Sequence, residues 1–168
     1  MGNSSVGYIV LNAIRALNIV SLLACTLAAG SLMVKTSDLH TSLFNLFDAA
    51  EKVLIILICL FLLLAETPRL LRSYFARNWP LFSHSSGFFT FSLALLFIGV
   101  DVLSWLTKEK TDEKHLGGDF YRMVLAAGIM TILMSAINII ASIFCRDRKK
   151  GLTARQVRGF KNEFIDVV

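Results

Sequence analysis

Charge is scarce in this chain. Only 17% of its 168 residues are Asp, Glu, Lys or Arg, against about 25% in soluble domains. By contrast, 55% are hydrophobic and the mean hydropathy is +0.66. This balance excludes an ordinary soluble domain and points to an all-α integral membrane protein of one compact domain. Proline is scarcer still: Pro68 and Pro80 are the only two, both within "LLLAETPRLLRSYFARNWPLF", residues 62–82. No helix elsewhere is interrupted by a ring that lacks an N–H. Cysteine is also sparse. Cys25, Cys59 and Cys145 form an odd set with no CxxC, which excludes a disulfide framework and a zinc site. Buried small hydrophobes are the ordinary reading of such cysteines.

Patterns of chemistry are equally sparse. There is no HExxH, no nucleophile elbow and no Gly-rich phosphate loop, and His40, His84 and His115 fall in connections and share no motif. The chain reads as a non-enzyme with no cofactor and no metal. Nothing interleaves aromatic and basic residues as a nucleic-acid reader would, so no nucleic-acid partner is expected.

What is present is apolar length. A spanning helix needs roughly 20 apolar residues, and four stretches qualify, at about 9–34, 47–66, 85–106 and 121–145. The first contains "ALNIVSLLACTLAAGSLMV", too long an apolar run for the core of a signal peptide, with Arg15 placed to snorkel. The second is the weakest. Its core "VLIILICLFLLLA" lies between Lys52 and Glu66 and covers about 20 Å of helix. It needs residues from about Phe47 to cross, with Asp48, Glu51 and Lys52 at its outer end. Such a short core suits a thin early-secretory bilayer. Residues 1–146 make the four-span domain and 147–168 a basic tail.

Basic residues set the orientation. Arg15, the Arg69/Arg72/Arg77 loop and seven Lys/Arg from Arg146 to Lys161 fall on one side; Lys35, Lys52, Lys108, Lys110, Lys114 and Arg122 fall on the other. Both termini are therefore expected in the cytosol.

Residues 67–79 have the marks of a short cytosolic interfacial helix between spans two and three. Thr67 can cap it and Pro68 fits its first position. Leu70, Leu71, Tyr74, Phe75 and Trp79 share one face, and Arg69, Arg72 and Arg77 the other. Its arginines would meet lipid phosphates and its aromatics the acyl boundary. The tail adds Arg146, Arg148, Lys149 and Lys150, which favour the anionic cytosolic leaflet. Cys145 beside them is a candidate for palmitoylation. Val157, Phe160, Phe164 and Val168 give the tail an amphipathic stripe, suited to the interface or to a cytosolic partner.

Within the spans, four polar residues stand out. Glu66 is expected as a partly solvated acid at the edge of span two, paired with Arg15 or Arg69. Asp101 is expected near the opposite edge. The two are candidate ion ligands, but about 20 Å of depth separates them, and span two offers only Cys59 in between. Asn18 and Asn138 come at similar depth on spans one and four. With Ala24, Ala28, Ala127, Thr131, Ser135 and Ser142 nearby, they predict a close-packed polar seam between those spans, or a seam for another protein.

The "AETPRL" at the end of span two, followed by a short aromatic and basic loop, resembles the Glu-x-Pro of small four-span Golgi and vesicle proteins. These are the COPI-associated and late-Golgi vesicle proteins and the related Flower family; uncharacterised fungal membrane proteins share the layout. The resemblance covers about residues 8–146. It implies four spans, cytosolic termini, an endomembrane location such as the Golgi, and a role in vesicle trafficking; for Flower-like proteins it further implies a calcium-channel role for the span-two glutamate, here Glu66. The leading expectation is a trafficking factor or an accessory subunit that binds a larger membrane protein or itself. The alternative is an oligomeric ion channel or carrier using Glu66 or Asp101.

Overall fold

The computed structural model describes residues 3–37, 44–66, 77–78, 88–107 and 117–144. Four helices hold nearly all of these: α1 Asn3–Ser37, α2 Phe44–Glu66, α3 Phe88–Ser104 and α4 Gly118–Phe144. A 3-10 turn, Trp105–Thr107, extends α3. In an apolar medium a helix satisfies every backbone donor within the segment, and neither proline falls inside any of the four. Gly117 opens α4 with a φ of 87° that other residues rarely adopt. Its carbonyl accepts the Tyr121 N–H at 3.1 Å, and Asp119 sits in the first turn, where the helix dipole favours an acid.

Three helices are long and apolar enough to cross a membrane: Ile9–Val34, Phe88–Thr107 and Gly118–Phe144. α2 is different. Every 18-residue stretch of it contains Glu51 and Lys52 together with either Asp48 or Glu66.

The buried positions step by three and four in every helix. In α1 the series is Leu11, Ile14, Asn18, Ser21, Cys25, Ala28 and Leu32, with Leu22 and Ala29 buried beside it; in α4 it is Val124, Ala127, Thr131, Met134, Asn138 and Ala141, with Gly128 and Ser135 buried beside it. Lys52, Ile55, Cys59, Leu62 and Glu66 do the same in α2, and Phe88, Phe91, Leu95, Ile98, Val102 and Trp105 in α3. This 3.5-residue period is that of a left-handed antiparallel bundle with knobs-into-holes layers. The opposite faces carry exposed apolar side chains such as Leu27, Phe97 and Phe144.

The helices associate in the order α2–α1–α4–α3. α1 packs along both α2 and α4, and α4 along α3. The α3–α4 pair is tightest at two glycines. A Cβ on Gly99 would lie 2.6 Å from Ile132 Cγ1 and 3.1 Å from both Gly128 O and Ile132 N. One on Gly128 would lie 2.6 Å from Leu103 Cδ2. Backbones meet there because nothing stands between them, which is how helices gain packing in lipid.

Candidate functional site

Along the α1–α4 interface runs a buried polar seam. Asn18 and Asn138 are both fully buried. Asn18 Nδ2 donates to Asn138 Oδ1 at 3.1 Å, and Asn138 Nδ2 donates back to Asn18 Oδ1 at 2.7 Å and to Met134 O at 2.8 Å. Ser21 Oγ donates to Asn18 O at 3.0 Å. One heptad further along, Cys25 Sγ lies 3.0 Å from Thr131 Oγ1. Both groups also reach the same backbone carbonyl, Ala127 O, at 2.7 Å from the Thr131 hydroxyl and 3.8 Å from the Cys25 thiol. Small residues, Ala28 and Ala127, fill the layer beyond. Of the residues expected at the seam, Asn18, Asn138 and Thr131 are brought together with Ala28 and Ala127 beside them, Ala24 and Ser142 are only half-buried, and Ser135 faces another helix. Ser135 turns to α3 and donates to Ser92 O at 2.7 Å, while Ser92 Oγ donates to Phe88 O at 2.6 Å. The seam therefore continues from α1 through α4 to α3.

Glu66, expected to be partly solvated, is fully enclosed at 0% exposure. The reason is register. It takes the last inward position of the series Lys52, Ile55, Cys59, Leu62, Glu66 rather than an outward edge. Cys59 lies against Cys25 and Thr26 of α1. One heptad from that contact, Glu66 comes level with Asn18 and so with the amide pair. Asp101 is half-buried on α3, about 18 Å away in depth. Leu62, Cys59 and Ile55 of α2 and Leu95 and Ile98 of α3, all buried, occupy the layers between. Glu66 and Asp101 are not brought together.

A second polar cluster lies at the other end of the bundle. Lys52 is only 3% exposed. Its ammonium pairs with the Asp48 carboxylate one turn earlier, donates to Asp48 O at 3.3 Å, and sits 5.7 Å from the centroid of the Trp105 ring. The Trp105 indole N–H donates to Glu51 Oε1 at 3.1 Å. The sequence reading missed this cluster. Two signals were available: a Trp at a helix end needs a partner for its N–H, and Lys52 continues the heptad of Ile55, Cys59 and Leu62.

Of the remaining expected contacts, Arg77 is exposed. Arg69, Arg72, Tyr74, Phe75 and Trp79 of the interfacial helix, and Cys145, Arg146, Arg148, Lys149 and Lys150 of the tail, lie outside the described residues. Among the described residues no group of three or more His, Cys, Asp or Glu is placed to hold a metal ion, and Cys25 and Cys59 are free and buried.

Fold and seam together define an antiparallel all-α bundle with at least three helices of membrane-crossing length, tied internally by side-chain hydrogen bonds. The chain belongs to the family described as "Domain of unknown function (DUF7598)", which it matches over residues 7–144. That span contains all of the seam and the Lys52–Trp105 cluster, and stops short of the basic tail. No curated protein and no solved structure matches the chain.

Proposed function

We propose that this chain is a non-enzymatic multi-pass membrane protein of the secretory or endomembrane system, acting in vesicle trafficking or as an accessory subunit of a larger membrane complex. The observation that carries this reading is the reciprocal Asn18–Asn138 pair. These two buried amides are spent on each other, and the apolar outer face of the bundle remains for lipid or for the helices of a partner. α2 serves as the fourth span in this reading, with both termini in the cytosol. Lys52 is neutralised by Asp48 and stacked on Trp105, so the charge nearest the apolar core of α2 is already compensated. The short core of α2 and the Glu-x-Pro resemblance both favour a thin bilayer such as that of the early secretory pathway.

Co-purification of the tagged full-length chain from native membranes in mild detergent tests the proposal. A stoichiometric membrane-protein partner, or a discrete homo-oligomer, supports it and names the process. A chain that elutes alone counts against it.

One observation favours a second reading, an oligomeric channel or carrier: Glu66 is a carboxyl-bearing residue completely buried in the bundle. Cation flux into liposomes that Glu66→Gln abolishes would establish that reading and displace the first.

A further inference from the structure

α3 presents two unlike edges. Toward α4 it offers Gly99 and Ser92, and the backbones close up. Toward the rest of the bundle it offers Phe88, Phe91, Leu95, Ile98 and Trp105, all buried. These side chains are bulky, and among the described residues the α2 and α3 backbones come close at few points. In an apolar surrounding such a side has little holding it. Lipid tails solvate Leu and Phe as well as a neighbouring helix does, so helix association depends on close packing and on polar bonds. The other three sides have these. α1–α4 has the amide pair, α3–α4 has the glycine approach, and α1–α2 has Cys59 against Cys25 and Thr26. The α2–α3 side has the indole clasp, with Trp105 bonded to Glu51 and stacked under Lys52.

We propose that this clasp is a latch, and that α2–α3 is the side on which the bundle opens. With the latch closed, Trp105 ties the start of α2 to the end of α3. When it is released, α2 swings outward on its contact with α1, and the inner faces around Cys59, Leu62 and Leu95 meet the surrounding apolar phase. The Asn18–Asn138 pair and the glycine crossing hold the other three helices as a rigid frame. This inference does not depend on the accessory-subunit reading, since a channel with the same latch would open on the same side.

The test is a distance measurement between spin labels carried on non-natural amino acids, so that the native cysteines stay in place, in the full-length chain reconstituted in lipid bilayers. One label pair replaces Phe47 and Thr107, both exposed, at the latched ends of α2 and α3. A reference pair replaces Val34 and Met123 on α1 and α4, also exposed. The parent gives one narrow distribution for each pair. Trp105→Phe and Glu51→Leu each add a longer population at the Phe47/Thr107 pair, on the order of 5 Å out, about half a helix diameter. The reference pair stays narrow. Glu51→Gln, whose amide oxygen still accepts the indole proton, keeps the parent distribution. Unchanged Phe47/Thr107 distances in Glu51→Leu overturn the proposal. So does broadening of both label pairs together, which is general loosening, and so does Glu51→Gln behaving like Glu51→Leu. Should Trp105→Phe fail to fold, the two Glu51 variants still decide the matter.

Discussion

Asn18 and Asn138 are 120 residues apart in the chain and exchange two hydrogen bonds, at 3.1 and 2.7 Å, with no exposed surface on either. Each amide satisfies the other, so removing one strands its partner in an apolar layer. Asn18→Leu and Asn138→Leu are each expected to destabilise the bundle by about 1–2 kcal/mol, the cost of an unsatisfied buried group. The double variant is expected to lose less than the sum of the two. Reversible unfolding in mixed detergent, arranged as a double-mutant cycle, checks this. A coupling of about 0.6 kcal/mol is the average for such bonds in membranes, with about 1.7 the upper end.

The glycines separate into two kinds. Gly99→Ala places a Cβ 2.6 Å from Ile132 Cγ1 and 3.1 Å from two backbone atoms of α4. Backbone cannot step aside as a side chain can, so α3 and α4 must part, at an expected cost of about 1–3 kcal/mol. Gly128→Ala meets Leu103 Cδ2 at 2.6 Å and Cγ at 2.7 Å, with Gly99 O at an ordinary 3.4 Å; the close atoms belong to a side chain that can shift, so it is expected to cost less. Gly30 has nothing within 4 Å of the same position. There alanine is expected to be neutral or to stabilise by up to about 1 kcal/mol through the helix backbone alone. The order Gly30→Ala, Gly128→Ala, Gly99→Ala in falling thermal stability is the observable.

The contrast between seam and latch explains what could be read from the sequence. In a soluble helix the inner face is the apolar one. Here the inner and outer faces are both apolar, so hydrophobicity marks the length of a helix but not its rotation. Four helices were therefore legible, but their starts were not: α1 begins at Asn3, six residues before the expected position, and α2, α3 and α4 each begin three residues away from theirs. The α1–α4 seam was legible too, because Asn18, Asn138 and Thr131 are polar and disfavoured against lipid; Ser135, read with them, bonds α3 instead. α2 offers only Leu, Ile, Cys and Phe across its core, so its inner face could not be told from its outer one. Glu66 was consequently placed at a solvated edge, and Lys52 was missed. The heptad of burial becomes visible only when Lys52, Ile55, Cys59, Leu62 and Glu66 are seen to share a line.

The two described thiols are expected to be protected together. Cys25 is bonded to Thr131 and Cys59 lies beside Thr26, both at 0% exposure. In a Cys145→Ser background, maleimide modification in mild detergent is expected to be slower by at least about 100-fold than after denaturation, since reaction requires local opening. Labelling followed by mass spectrometry reads both sites. Rapid modification of Cys59 with Cys25 still protected would place the first opening at α2, in line with the latch. Modification of Cys25 first would argue for a loose α1–α4 interface instead.

The parity of the spans decides the topology. If α2 crosses with the other three helices, both termini lie on one side, and the connections at 38–43 and 108–116 lie on the other. If α2 does not cross, the termini lie on opposite sides. The positive-inside count, with Arg15, Arg69, Arg72, Arg77 and the tail against Lys35, Lys52, Lys108, Lys110, Lys114 and Arg122, predicts the first arrangement. Glycosylation acceptor sites inserted one at a time separate the two. A site within 108–116 is expected to be modified in secretory membranes, and sites ahead of Asn3 and after Val168 to stay unmodified. Modification at one terminus only would remove α2 from the membrane. Lys52, Glu51 and Trp105 would then have to be understood as a contact at the membrane surface rather than at the end of a span.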